Sequence, residues 1–428
     1  MAEIKPFKGI LYNSEKIKGE YGNVTAPPYD VISEEVVELF YEKSPYNIIR
    51  LILGKSSDND TPENNKYTRA KKYLNEWIDA RVLTKSSEDS FYIYSQEYTV
   101  NGEQYHRIGF IGLIKIDEPE DNNILPHEHT HSKPRLDRMK LLCQVKSNLS
   151  PIFGLYADKS GIVSKILRET ISETKPIIDI KFTEEKHTLW QLSKDDNMKK
   201  IISAMKDKKI FIADGHHRYE VAKEYRDLQR HEPGYNGNAD YVMMYFADME
   251  TPKNLTILPT HRIIKELSGF LVGEEIVKKL NVHFDVKEEK NIDDMLTRMA
   301  KDKEKHSFGV FNGKKYYSFT LKAGEDVNKL VLEKKSAEWK NLDVSILHHF
   351  VFKTLFKINT KEGDIIYVKC HKDADNFVKE SKSALAFFMN ETPVIHLKLV
   401  AEKGDMMPQK STYFYPKLLS GLVINKFD

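Results

Sequence analysis

The chain has 428 residues, 40% hydrophobic and 30% charged, and its 66 lysines and arginines against 64 aspartates and glutamates give a formal net charge of +2. That is too much apolar material for a disordered chain and enough for cores in two or three units. The evenly mixed charges argue against a broad nucleic-acid footprint. The two cysteines, Cys143 and Cys370, stand far apart and argue against a disulfide framework or a cysteine-based zinc site. The N-terminal MAEIKPFKGI lacks the apolar core of a signal peptide, and no apolar run approaches the ~20 residues that span a bilayer. The expectation is a cytoplasmic protein without nucleic-acid or membrane partners.

In chain order, Lys55–Asn65 reads as a polar loop, with Thr61-Pro62 as a helix start. Tyr67, Ala70, Tyr73, Leu74, Trp77 and Ile78 then recur at helical spacing. Asn101-Gly102 between Phe91–Val100 and Gln104–Ile116 predicts a hairpin, because both turn residues must take positive φ. Asn312-Gly313 repeats the signal between Ser307–Phe311 and Lys315–Leu321. Between them, helices are expected at about Ile162–Ser172 and Asp196–Lys206, and strands at Ile177–Phe182 and Lys209–Ala213. Later helical patterns lie around Asp343–Leu355 and Ala374–Phe388. This is a mixed α/β (α+β) chain of about three packed parts.

Residues 208–230 read KKIFIADGHHRYEVAKEYRDLQR. Ile210–Ala213 suits a buried strand, and Val221, Ala222, Tyr225 and Leu228 recur with helical period. Asp214-Gly215-His216-His217-Arg218 therefore forms a tight turn from strand to helix. A helix start carries unpaired N–H groups and a partial positive charge, which together attract phosphate. Gly215 lets the backbone come close to a ligand. His216, His217 and Arg218 add donors, and Arg218 can grip a phosphate bidentately. Asp214 is placed to hold a metal ion or accept a proton. The bland alternative is a surface turn with Asp214 capping the helix.

A second cluster, Leu125–Lys133 (LPHEHTHSK), holds His127, Glu128, His129 and His131. Alternating histidines could bind a transition metal, but the HExxH spacing is absent and a polar loop is the simpler reading. The basic run Lys133, Arg135, Arg138 and Lys140 is either a solvated helix face or a phosphate neutraliser. Val24–Ser33 packs Pro27, Pro28, Tyr29 and Asp30 into a rigid loop. Met406–Leu418 contains Lys410-Ser411-Thr412 but lacks the glycine-rich lead of a P-loop. No GxSxG elbow or GxGxxG fingerprint occurs.

The whole chain resembles the prokaryotic family named domain of unknown function 1015. The matching stretches are Lys5-Pro6-Phe7-Lys8-Gly9, Ala26-Pro27-Pro28-Tyr29-Asp30-Val31-Ile32, Ser44-Pro45-Tyr46-Asn47, Leu125-Pro126-His127-Glu128, Ser150-Pro151-Ile152-Phe153-Gly154, Ala213–Tyr219 and Pro408–Leu418. The middle is also similar to ParB/sulfiredoxin-fold free serine kinases, through Pro126-His127-Glu128 followed by Asp214-Gly215-His216-His217-Arg218. An additional stretch, roughly Ser164–Lys206, separates the two motifs, and about 1–120 and 266–428 have no counterpart in the small kinases.

That resemblance implies a ParB/sulfiredoxin-like central domain over 121–265, an N-terminal α/β region over 1–120 and a C-terminal α+β region over 266–428. It implies a kinase making O-phosphoserine from L-serine with ATP, ADP or pyrophosphate and Mg²⁺. Glu128 and Asp214 would be catalytic, Asp214 would hold the metal, and Gly215, His216, His217 and Arg218 would bind nucleotide phosphates. His127, Lys133, Asp30 and Lys410 are additional candidates. The partners would be a nucleotide and a small hydroxylated metabolite, and a homo-oligomer is allowed. The alternatives are a nucleotide-binding switch without catalysis, and a metal-dependent hydrolase built on His127, His129 and His131.

Overall fold

The computed structural model describes residues 1–128, 132–182, 184–265, 274–358, 364–381 and 384–427. It is mixed α/β, as expected, and forms two compact units: Met1–Thr256 with Pro416–Asp428, and Ile257–Tyr415.

The first unit is built on one mixed sheet. Its strands are β1 (Ile4–Lys5), β2 (Phe91–Val100), β3 (Glu103–Lys115), β4 (Ile124–Leu125), β5 (Ile152–Tyr156), β6 (Ile178–Lys181), β7 (Glu185–Leu192), β8 (Ile210–Asp214) and β9 (Tyr241–Asp248). They lie in the order β4-β8-β5-β9-β3-β2-β7-β6, with β1 pairing β3. The expected break near residue 120 is absent, because β2 and β3 from the first stretch share this sheet with β5, β8 and β9 from the second. The additional stretch between the motifs supplies β6 and β7, which extend the sheet at one end.

The hairpin of β2 and β3 turns at Asn101 (φ 51°) and Gly102 (φ 80°), as the Asn-Gly signal predicts. The early helix, α1 (Lys66–Asp79), starts later than Pro62. Its start is set by a capping box in which Asn65 accepts from Tyr67 and Thr68 backbone N–H groups and Thr68 Oγ1 accepts from Asn65 N. Beyond it come α2 (Ser132–Val145), α3 (Ile162–Glu173), α4 (Asp195–Met205) and α5 (His216–Gln229). Ile166, Leu167, Ile201, Met205, Tyr219 and Ala222 of α3, α4 and α5 join sheet residues such as Phe110, Ile212 and Phe246 in one buried core. No helix among the described residues is long and apolar enough to cross a membrane.

The second unit carries a six-stranded sheet, with strands β10 (His261–Ile264), β11 (Phe284–Glu289), β12 (Ser307–Phe311), β13 (Tyr316–Leu321), β14 (Ile365–Val368) and β15 (Leu385–Phe388). At the second Asn-Gly turn only Gly313 has positive φ (83°). Asn312 Oδ1 instead accepts from the Lys314 and Lys315 backbone N–H groups, widening the loop. The helical pattern expected over Ala374–Phe388 divides into a helix, His371–Glu380, and β15. Leu385, Ala386, Phe387 and Phe388 are buried at every position because β15 lies between β12 and β10. A π-helix, Ile346–Leu355, follows a short α-turn at Asp343–Ser345.

Candidate functional site

The strand–turn–helix reading of residues 208–230 matches the fold. β8 ends at Asp214, Gly215 takes φ +92°, and α5 begins at His216. β8 is antiparallel to β5, with an irregular register between Ile212 and Asp214. Such a bulge re-aims the side chains beside it. The N-cap position of α5 is Gly215, so Asp214 stands one residue before the cap. Its Oδ2 accepts from Arg218 Nη2 at 2.6 Å, and its Oδ1 accepts from Lys417 Nζ. All three side chains are about one-seventh exposed. The two cations hold the Asp214 carboxyl far below the usual carboxylate range, overcoming the opposing effect of burial. Arg218 Nη1 also donates to Pro151 O, while its buried Nε has no hydrogen-bond partner among the described residues.

The second motif lies alongside the first. β4 runs parallel to β8, with Ile124 opposite Ile210 and Leu125 opposite Phe211. The chain therefore enters Pro126-His127-Glu128 next to the end of β8. His127 is buried, and its ring donates Nδ1–H to Ile212 O at 2.6 Å, which fixes its proton on Nδ1 because a carbonyl only accepts. The His127 backbone N–H donates to His216 Nε2 at 3.3 Å, and the two rings meet edge to face at 4.6 Å. His216 is thus a neutral ring protonated on Nδ1. Burial holds it well below the ordinary histidine range, with neighbouring His127 adding to the effect. Burial likewise lowers His127.

Helix α5 also grips the approach to Pro126. Arg226 Nη1 donates to Ile116 O and Asp117 O at 3.0 and 2.9 Å, and the Tyr219 hydroxyl accepts from Asp117 N. Asp117 Oδ2 accepts in turn from the backbone N–H groups of Asn123 and Ile124. Glu128 follows His127 as a half-buried side chain, and His217 is half-buried too. His129 and His131 lie outside the described residues.

Sequence reasoning singled out Lys410 but passed over Lys417. Lys410 belongs to the second unit, where its carbonyl accepts from Arg262 Nη2. Lys417 belongs to the first unit and lies inside the family-matching stretch Pro408–Leu418, which was the available signal. Lys133 is exposed on α2, and Asp30 is exposed in the single turn Tyr29–Val31. Of the basic run on α2, Arg138 is buried rather than solvated: its Nη1 donates to Ile52 O at 2.7 Å and its guanidinium lies 4.0 Å over the Tyr29 ring. Tyr29, Arg138, Ser150, Ile152, Val221 and Arg218 help line a cavity of about 70 Å³. Three of the family-matching stretches meet here, through Tyr29, Ser150 with Ile152, and Arg218, and Ser420 is bridged to Ala26 and lies with its Oγ 2.6 Å from Ser150 Oγ.

A family model described as "Protein of unknown function (DUF1015)" matches residues 4–345. No curated protein matches the sequence. Among solved structures, a free serine kinase in complex with AMP is similar at 13% sequence identity, covering 71% of this chain and 86% of its own, with a TM-score of 0.35. SbnI with a C-terminal truncation, from Staphylococcus aureus, is similar at 10% identity, covering 72% and 85%, with a TM-score of 0.37. A conserved hypothetical protein from Pyrococcus furiosus is similar at 12% identity, covering 72% and 91%, with a TM-score of 0.34.

Proposed function

We propose that this chain, which belongs to the DUF1015 family of proteins of unknown function, is a nucleotide-dependent small-molecule kinase that phosphorylates the hydroxyl of free L-serine. The observation that carries the reading is the joining of its two motifs. His127, beside Glu128, is bonded both to Ile212 in the strand before Asp214 and to His216 in the turn after it.

Phosphoryl transfer to a hydroxyl needs cations on the phosphate, alignment of the acceptor and a destination for the hydroxyl proton. Arg218, His217 and the first-turn N–H groups of α5 face the donor phosphates in this reading. Glu128 takes the proton from the acceptor hydroxyl. His216 supports the Pro-His-Glu segment, since its Nε2 lone pair is committed to His127 N–H. ATP, ADP or pyrophosphate is the donor.

A Mg²⁺ ion on Asp214 would meet a carboxylate that is already charge-compensated. Both carboxylate oxygens already accept from cationic donors, so a metal there would share the carboxylate with Lys417 and Arg218. Mg²⁺ usually keeps several waters and binds through phosphates as well as carboxylates, so it can arrive on the donor's own phosphates.

The test is to incubate the protein and Mg²⁺ with each donor and a panel of hydroxylated metabolites, and to follow products by mass spectrometry. O-phosphoserine formation that depends on Glu128 is the expected result. Absence of any phosphorylated product, with nucleotide still bound, would leave a nucleotide-binding protein without transfer.

A further inference from the structure

Pro416–Leu419 is strapped to one face of the sheet by buried polar side chains of β2 and β3. Arg107 on β3 is fully buried, and its Nη2 donates to Pro416 O. Gln96 on β2 donates Nε2–H to Lys417 O at 3.0 Å and accepts from Arg107 Nε through Oε1 at 2.9 Å. The Tyr94 hydroxyl, also on β2, accepts from Leu419 N at 3.4 Å and lies 2.7 Å from His187 Nδ1. Three side chains from two neighbouring strands thus hold the backbone on both sides of Lys417. Keeping a buried network of this kind fully bonded rigidifies what it touches. What it delivers is one ammonium group to one carboxylate oxygen of Asp214, opposite the guanidinium of Arg218.

We propose that Lys417 is the resident counter-cation of Asp214 and a phosphate-binding residue of the donor site, with Tyr94, Gln96 and Arg107 as the residues that position it. The assignment rests on the phosphotransferase reading for the identity of the anion. Asp214 holds Lys417 and Arg218 apart as two arms of a pincer. A phosphate entering at the helix start meets both cations already ordered, so little side-chain entropy remains to be lost on binding. Lysine suits this role because its ammonium is a compact point charge on a flexible stem, with three rotatable donors.

The experiment is calorimetric titration of pyrophosphate and of ADP into the full chain, first with a chelator and then with Mg²⁺. It is run on the wild type, Lys417→Met, Lys417→Ala and Lys417→Arg, with thermal unfolding as the check on folding. Wild type is expected to bind without Mg²⁺. Lys417→Met and Lys417→Ala are expected to weaken binding by about tenfold to a hundredfold, the range for a charge-assisted hydrogen bond, and Lys417→Arg to recover most of it.

Unchanged affinity in folded Lys417→Met would overturn the assignment and leave the kinase reading standing. An absolute Mg²⁺ requirement in the wild type would overturn the counter-cation role. Loss of cooperative unfolding in both neutral variants would make Lys417 a purely structural partner of Asp214, which also overturns it. Lys417-dependent pyrophosphate binding in a protein that phosphorylates no acceptor would do the reverse: the phosphate site stands and the kinase reading falls.

Discussion

The backbone N–H of His127 donates to Nε2 of His216 across 89 positions of sequence, at 3.3 Å. That bond ties the backbone beside Glu128 to the first residue of the helix after Asp214. Replacing His216 with Phe keeps a ring in the site but leaves the buried His127 N–H without its acceptor. An unsatisfied buried donor costs about 1–3 kcal/mol. His216→Phe is expected to lower the urea midpoint accordingly and to reduce kcat more than nucleotide affinity. A variant with wild-type kcat and a lowered midpoint would confine His216 to stability.

On the kinase reading, Glu128→Gln is expected to separate catalysis from binding. Glutamine keeps size and hydrogen bonding but cannot take the acceptor's proton. Turnover should fall by ~10²–10⁴, the usual contribution of a positioned general base, while ADP affinity by calorimetry stays near wild type. Arg218→Ala should do the opposite first, weakening ADP binding, since it removes a cation held on Asp214 at 2.6 Å. Full turnover in Glu128→Gln together with normal ADP binding in Arg218→Ala would reject both roles.

Gly215 has two reasons to be glycine. Its φ of +92° is costly for any L side chain, and a Cβ there would stand 3.0 Å from the Arg218 guanidinium. Gly215→Ala is therefore expected to lose about 1–2 kcal/mol of stability and to push Arg218 off Asp214. Thermal unfolding reads the first effect, and ADP titration reads the second. Weakened binding that is rescued by high protein stability in a stabilising buffer would refute the displacement of Arg218.

Stability should fall on mild acidification. Burial lowers the folded-state pKa of His127, His187 and His216 in the first unit, and of His348 and, to about 3, His261 in the second. The unfolded chain therefore binds more protons than the folded one once pH drops below about 6.5, and stability rises with pH through that window. Each such histidine contributes a slope of up to about 1.4 kcal/mol per pH unit between its folded and unfolded pKa values. The loss of stabilisation from Asp214, whose carboxyl is depressed, belongs to much lower pH, below about 4. Chemical denaturation at pH 7.5, 6.5 and 5.5 checks the sign. A midpoint that rises toward pH 5.5 would show that the buried histidines are protonated in the folded state.

Local periodicity and turn chemistry were enough to read the parts of the site that are contiguous in sequence. Ile210–Ala213 is apolar throughout, Gly215 is the only residue type at ease in that turn, and Val221 to Leu228 keep a helical period, so strand, turn and helix were legible together. The Asn101-Gly102 hairpin was legible for the same reason. Local signals misled where a partner outside the window decided the outcome. Pro62 suggested a helix start, but the Asn65–Thr68 capping box sets it at Lys66. Leu385–Phe388 carried on an apolar helical pattern, but flanking strands on both sides made it a central strand.

The sequence by itself determined the mixed α/β class, the strand–turn–helix passage at Asp214–Arg218 and the membership of Pro126-His127-Glu128 in a pattern shared with it. Only the tertiary structure decided what each side chain is bonded to. Parallel pairing of β4 with β8 brought His127 to His216, and the strap of Arg107, Gln96 and Tyr94 brought Lys417 to Asp214 across 203 positions. The physical reason is range. Strand, turn and helix preferences act within a few residues, whereas an ion pair or a shared hydrogen bond exists only once the sheet has placed distant backbones side by side.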